Sequence, residues 1–432
     1  MSEIRSLYGL EILDSRGWPT IKATCTLSSR AYASASIPSG RSTGTAEAWE
    51  LRDGDQARYR GRGCRQAADN INTIINQALR GRDITSQQDL DQALCELDGS
   101  PNKSRLGANA ILAVSISFAR AQARERGISL YRHFSELLEE PVTHFPRLTI
   151  NLFSGGRHAG RQVAIQDVLM VPSGASSIDE SLVTMSNIYQ TAADQTYETY
   201  GMRLLTADEG GQAPPFESSE VMLEAAVAAI EGAGYRPGED VHLAIDVASS
   251  HFYRDGQYEL DQRRLQPGEM IEHLCRWRSR YPIVSLEDGL AEDDWLHWPH
   301  LCEALGNTTL ILGDDLLCTN PERIVRAIHS GACNGLLLKV NQIGTLSEAI
   351  TAHRLARQAG WQVTVSVRSG ETEDDWAADL AVGWSADQFK NGSITQSERL
   401  AKYNRLLEIE AGERLPIRPW PRVLKPGHTR HL

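Results

Sequence analysis

The chain has 432 residues, 41% hydrophobic and 23% charged, with a formal net charge of -12. That length is beyond what one core sustains, so two domains are expected, and the acidic balance excludes a surface built to wrap nucleic acid or to lie on an anionic membrane. No apolar run reaches the roughly 18 residues of a membrane span, and MSEIRSLYGLEILDSRG lacks a basic flank followed by an apolar core, so a cytoplasmic protein is expected.

In chain order, SLYGLEILDS, TIKATCTL and AYASASI read as strands, and QAADNINTIINQALRG, ANAILAVSISFARAQARERG and SLYRHFSELL as helices. Strands followed by helices predict an α+β domain over residues 1–138 that acts as a lid. Within it, IPSGRSTGTAE (Ile37 to Glu47) reads either as a surface turn or as a flap that closes on an anion or a metal. GRG at Gly61 to Gly63 follows no clear strand and is too weak for a nucleotide fingerprint. EEPVTHFP reads as a linker. From LTINLF onward, over 139–432, strands alternate with helical stretches such as SSEVMLEAAVAAIEGAG and NPERIVRAIHSGA, a rhythm that predicts parallel βα units closing into a barrel. The proline-rich end, RLPIRPWPRVLKPGHTRHL, reads as a loose tail. The 7 cysteines are scattered without a CxxC pair, which disfavours a zinc site or a disulfide framework.

The chemistry gathers at predicted strand ends. Asp246 follows HLAI, Glu287 follows PIVSL, Asp314 follows LILG and Lys339 follows GLLL. In a β/α barrel these ends face one mouth, so residues distant in sequence converge there. Carboxylates without cysteine or histidine favour a hard cation such as Mg2+, which takes its remaining ligands from water and an anionic substrate. Only 6 of the 44 Lys+Arg are lysine, so the retained lysines stand out. A buried lysine can give up its proton and an arginine effectively cannot.

Other motifs admit two readings each. His158 in GGRHAGRQVAIQD is either solvated or catalytic, with Gln166 and Asp167 following it. Asp208 and Glu209 in TADEGGQAPP suit either a helix N-cap or an acid held against a ligand. Arg368 and Ser369 after QVTVSV would make a phosphate clamp, and Lys390 in QFKNGS is either a surface lysine or a ligand contact.

Together these segments resemble the enolase family over nearly the whole chain. The resemblance is carried by LDSRG, PSG-x-STG, KS-x-x-GANAIL, HAG, DEGG-x-AP, SLED, GDDL-x-x-TNP, LLLKVNQIGT, RSGETED and SERLAKYN, all in family order. It implies an α/β fold, a modified eight-stranded β/α barrel beneath the N-terminal α+β lid domain, assembled as a homodimer or higher oligomer. By the same resemblance Asp246, Glu287 and Asp314 would hold one Mg2+ and Ser42 would contribute to a second. Lys339 would remove the C2 proton of 2-phosphoglycerate and Glu209 would assist departure of the C3 hydroxyl. Arg368 and Ser369 would hold phosphate, Lys390 the carboxylate, and His158 would sit near the phosphate.

The chain departs from the family at five places. Val367 stands where enolases have histidine, and Asp167 where they have glutamate, which withdraws a carboxylate by roughly 1.5 Å on covalent geometry. Arg41 and Arg157 replace small residues, and Ser154 replaces asparagine. The added guanidinium groups imply more negative charge to bind. The departures suggest a resemblance to the carboxyphosphonoenolpyruvate synthases of phosphonate antibiotic biosynthesis, which would use CMP-phosphonoformate as a second anionic substrate. An ordinary phosphopyruvate hydratase and a non-catalytic relative are the alternatives.

Overall fold

The computed structural model describes residues 2–41 and 44–420. The N-terminal part is a four-stranded sheet of β1 (Ser2–Leu13), β2 (Pro19–Leu27), β3 (Tyr32–Ser36) and β4 (Asp83–Ile84), in the order β3-β2-β1-β4. Strand β2 alternates as a half-buried strand must: Ile21, Ala23, Cys25 and Leu27 are buried, while Lys22, Thr24 and Thr26 face the other way. The buried face lies against the helix Ala108–Arg126, which is buried over most of its length and ends at Gly127 in the left-handed region.

The second part is a closed barrel. Its strands are β5 (Arg147–Ser154), β6 (Asp167–Val171) and β7 (His242–Asp246), then, after a small meander of β8 (Tyr253–Arg254), β9 (Gln257–Leu260) and β10 (Arg263–Leu265), β11 (Ile283–Glu287), β12 (Leu310–Gly313), β13 (Gly335–Leu338), β14 (Gln362–Ser366) and β15 (Gln388–Lys390). The expectation of uniformly parallel βα units is corrected at one place: β6 runs antiparallel to both β5 and β7. Strand β5 returns through the short connection 155–166, whose 3-10 turn Gly156–Ala159 is far too brief to cross back over the sheet, so the chain re-enters at the same end. The reversal places the first residue of β6, Asp167, opposite Ser154 and Asp246, at the mouth where the other strands end.

The opposite end of the barrel is closed by apolar side chains. Leu169, Val171, Ala244, Val284, Leu310, Leu312 and Leu337 form a cluster with Trp420. The reading of the C-terminal stretch as loose therefore fails for its first residues. Phe145 N donates to Pro416 O at 2.9 Å, Arg418 N donates to Phe145 O at 2.8 Å, and Trp420 is buried. A large apolar ring at the end of a proline-rich segment is enough to dock it, because burying an aromatic side chain is worth a few kcal/mol. No helix among the described residues is long and apolar enough to cross a membrane.

Candidate active site

Strand register sets the frame of the mouth. Glu287 pairs with Asp246 across β11 and β7, Asp314 follows the end of β12, Lys339 follows β13, and Lys390 ends β15. All are buried. Lys390 Nζ donates to Asp246 Oδ2 at 2.9 Å and to Glu287 Oε2 at 2.6 Å, while Lys339 Nζ donates to Asp314 Oδ2 at 2.5 Å. The structure thus sets Asp246 and Glu287 against Lys390 and Asp314 against Lys339, so the four residues read from strand ends meet Lys390, which the strand-end pattern did not single out.

Electrostatics follow from that pairing. Burial alone would lower the pKa of Lys390, but Asp246 and Glu287 outweigh it and raise it well above the ordinary lysine value. Lys339 is likewise raised, burial being overcome chiefly by Asp314. Burial also opposes ionisation of Asp314, yet Lys339 holds its pKa below the usual range. Glu287 goes the other way: burial, then the neighbouring charge of Asp246, push it well up. Its Oε1 is buried with no hydrogen-bond partner. A strongly negative pocket with an orphaned carboxylate oxygen and oxygen-only donors suits a hard divalent cation.

Residues that the strand-end argument did not single out complete this frame. Gln342 Nε2 donates to Asp314 Oδ1 at 2.7 Å and is itself held by Thr319, whose hydroxyl donates to Gln342 Oε1 at 2.8 Å. Asp288 accepts the backbone N–H groups of Asp314 and Asp315 at 2.9 and 2.8 Å. Burial and the nearby Asp314 push its pKa up to about 8. The doubled acids in SLED and GDDL carry this signal in the sequence, where the strand-end pattern singles out only one of each pair. Among the described residues, acidic and imidazole atoms already within 4.8 Å of one another form two groups, Asp288–Asp314–Asp315 and His158–Asp167–Glu209.

The second group forms the other wall. His158 Nδ1 lies 3.4 Å from Asp167 Oδ2 and 3.9 Å from Glu209 Oε1. Asn151 Nδ2 and Ser154 Oγ both donate to Asp167 Oδ1, at 2.6 and 2.7 Å. One oxygen of the shortened carboxylate is therefore tethered to β5 while the other faces His158, and Ser154, standing where the family has asparagine, is one of the tethers. Burial raises the pKa of Asp167, and Glu209 and Asp246 add to the effect, while for His158 the same carboxylates overcome burial and favour the cation. Glu209 is buried, but His158, then Arg399, Lys390 and Lys339, hold it below the usual value. Asp208 and Glu209 lie in a loop, so the alternative of a helix N-cap does not apply. Gln166 Nε2 donates to Asp246 Oδ2 at 2.9 Å.

The lid reaches the mouth through the flap. Arg368, next to Val367, makes a bidentate pair with Glu47, Nη1 to Oε2 at 2.9 Å and Nη2 to Oε1 at 3.1 Å. Arg41 N and Arg16 Nη1 donate to Ser369 Oγ at 3.0 and 3.2 Å. The flap backbone packs so closely here that a Cβ on Gly40 would fall 2.0 Å from Arg368 Nη2, so a side chain there would push the guanidinium aside. Arg41 Nη1 donates to Asp208 Oδ2 at 2.9 Å, next to Glu209. The side chain of Val367 is buried and offers no hydrogen bond. Arg157 stands at the turn before His158, with its Nε buried and unpartnered. Ser42 lies outside the described residues.

Family models for the enolase N-terminal domain and for the enolase C-terminal TIM barrel domain match residues 4–134 and 142–415 respectively.

Proposed function

The chain belongs to the enolase family, and from that premise we propose that it is a Mg2+-dependent enzyme that abstracts the C2 proton of 2-phosphoglycerate or a close analogue in the service of a specialised reaction. Lys339 takes the proton. Its raised pKa in the ion pair with Asp314 means that the pairing must be relieved before the amine can act as a base. Asp246, Glu287 and Asp314 would hold Mg2+, with Ser42 contributing to a second ion. When bound, the ions would stabilise negative charge gathering on the substrate carboxylate. Lys390 then turns to that carboxylate, Arg368 and Ser369 hold phosphate, and Gln166 and His158 fix the opposite wall. Glu209 is the acid or base at C3.

The observation that carries specialisation is the side of the mouth where water would leave. Val367 is buried and apolar there, and the carboxylate of Asp167, shorter by one methylene than the family's glutamate, is held by Asn151 and Ser154. A misplacement of this size costs about 100-fold in rate. Arg41 and Arg157 add positive charge at the rim. The reading that accommodates both is transfer of phosphonoformate from CMP-phosphonoformate to an enolpyruvate unit, in the manner of carboxyphosphonoenolpyruvate synthase, by a cytoplasmic homo-oligomer with a lid domain over 1–138 and a barrel over 139–432. Plain phosphopyruvate hydratase activity is favoured by one observation, His158 Nδ1 at 3.9 Å from Glu209 Oε1, which gives the acid an imidazole neighbour in electrostatic range other than the missing histidine.

Phosphorus NMR of the protein with Mg2+ and 2-phosphoglycerate, with and without CMP-phosphonoformate, tests the proposal. A new phosphonate signal with CMP release, seen only when both substrates are present, is the expected result. Rapid phosphoenolpyruvate formation without the co-substrate would replace it with the hydratase reading, and no exchange or turnover under any condition would leave the non-catalytic one.

A further inference from the structure

Outside the lysine–carboxylate centre, the loop 155–166 forms one wall of a separate cavity of about 320 Å³, lined by Arg157, Arg161, Gln162 and, from the turn after β7, His251. Three polar atoms around it are buried without a hydrogen-bond partner: Arg157 Nε, His251 Nδ1 and Gln162 Oε1. Unsatisfied buried polar groups cost free energy, and their gathering in one place needs an explanation in terms of what they meet.

The charge balance of this cavity says what that is. Arg157 is disfavoured as a cation first by burial and then by the like charges of Arg161 and Arg254, with Arg41 adding and Asp315 opposing. Among the described residues neither Arg157 nor Arg161 is in an ion pair. Arg254 spends its N–H groups on backbone carbonyls, Tyr253 O at 2.7 Å and His251 O at 3.2 Å, so it adds field and fixes the His251 turn. The carboxylates along the rim are largely engaged elsewhere. Asp261 accepts from Ser219 N at 2.7 Å and Ser219 Oγ at 2.9 Å, and Glu259 pairs with Arg264 at 3.1 Å. Glu217 also lines the cavity and is in no ion pair among the described residues. Burial, and next to it Arg157, push the His251 pKa down to about 4, so the imidazole is a neutral donor at neutral pH.

We propose that this cavity is a second anion site, taking a phosphate-type oxyanion between Arg157, Arg161 and His251. Planar guanidinium donors match tetrahedral oxyanions, and a buried Nε with no partner is satisfied by one. The oxyanion is either free or the phosphate of a nucleotide. The inference rests on the reading above only in giving Arg157 an anion to bind, and its test reads binding without turnover, so the two fail separately.

The experiment is a titration of the full-length protein, labelled with 15N in its histidines, with inorganic phosphate and with cytidine monophosphate, following the ring signals of His251 and His158. A saturable shift of His251 is expected, weakened about tenfold by Arg161→Ala through loss of one charge-assisted contact and unchanged by Arg263→Ala, which removes a surface charge from β10. Tighter binding of the nucleotide than of phosphate, with the same Arg161 dependence, supports a nucleotide source, and equal binding supports a free oxyanion. Movement of His158 alone, a response lost equally in Arg263→Ala, or no saturable shift with millimolar phosphate overturns the site.

Discussion

Replacing Lys339 by methionine separates the role proposed for this side chain from the contact it makes in the structure. As the base at C2 it should matter for proton transfer, where a positioned general base contributes about 100- to 10 000-fold. As the ammonium 2.5 Å from Asp314 Oδ2, it is also the cation that any divalent ion must displace from that carboxylate. A hydrogen bond between charged groups is worth roughly 1.5–3 kcal/mol, and 1.4 kcal/mol is a factor of ten. Removing the competitor should therefore tighten Mg2+ binding by about 10- to 100-fold. Gln342 Nε2, at 2.7 Å, still orients the carboxylate, so the ligand is not lost with its partner. Lys339→Met is accordingly expected to lose solvent exchange at C2, followed by proton NMR in deuterated buffer, while calorimetry shows Mg2+ bound at least as tightly as in the parent. Exchange within tenfold of the parent would remove Lys339 as the base. A parallel tenfold loss of Mg2+ affinity would refute the competition argument and make the lysine a structural strut.

Three further outcomes follow from other parts of the molecule. His353 is buried with both ring nitrogens unpartnered, and burial, then Arg357, hold its pKa down at about 3. The unfolded imidazole takes a proton near 6.5, so stability is full above that pH and falls by about 1.4 kcal/mol per unit below it, or about 2 kcal/mol by pH 5. His353→Phe should therefore gain stability relative to the parent at pH 5 but not at pH 7 in urea denaturation, and equal effects at both would contradict this. Val367→His is expected to raise phosphoenolpyruvate formation by ten- to 100-fold if the missing donor limits water departure, and an unchanged steady-state rate would shift the cause to the withdrawn Asp167. Arg41→Ala breaks an ion pair whose arginine is 47% exposed. The melting temperature should hardly move, since such pairs contribute about 1 kcal/mol or less, while KM for an anionic substrate rises and loses part of its salt dependence. A large drop in stability with KM intact would contradict a binding role.

The barrel was legible because its strands are short apolar runs ending in a chemical group, and Asp246, Glu287, Asp314 and Lys339 each sit where such a run stops. Pairing direction was not legible: β5, β6 and β7 look like neighbouring strands of any α/β sheet, and only the brevity of 155–166 reveals the reversal. The buried contacts of Arg368 were hidden too, because its partner Glu47 lies in another domain and nothing local links them. The docking of Trp420 was obscured by the prolines around it, which signal an irregular backbone but say nothing of whether its side chains are buried. The five departures from the family pattern could be read as letters. That Ser154 and Asp167 form a single hydrogen-bonded unit with Asn151 required coordinates.

The reversed strand β6 has a bearing on how such a protein changes its chemistry. Three of the five departures, Ser154, Arg157 and Asp167, fall on the single hairpin joining β5 to β6. Asp246, Glu287, Asp314, Lys339 and Lys390 lie at or just after the ends of strands outside that hairpin. Because a hairpin connection crosses no other element, it can be rewritten as a module while the remaining strands keep their register. The inverted strand thus sets apart one side of the mouth, where three of the five departures gather, from the strand ends that carry Lys339 and the three carboxylates.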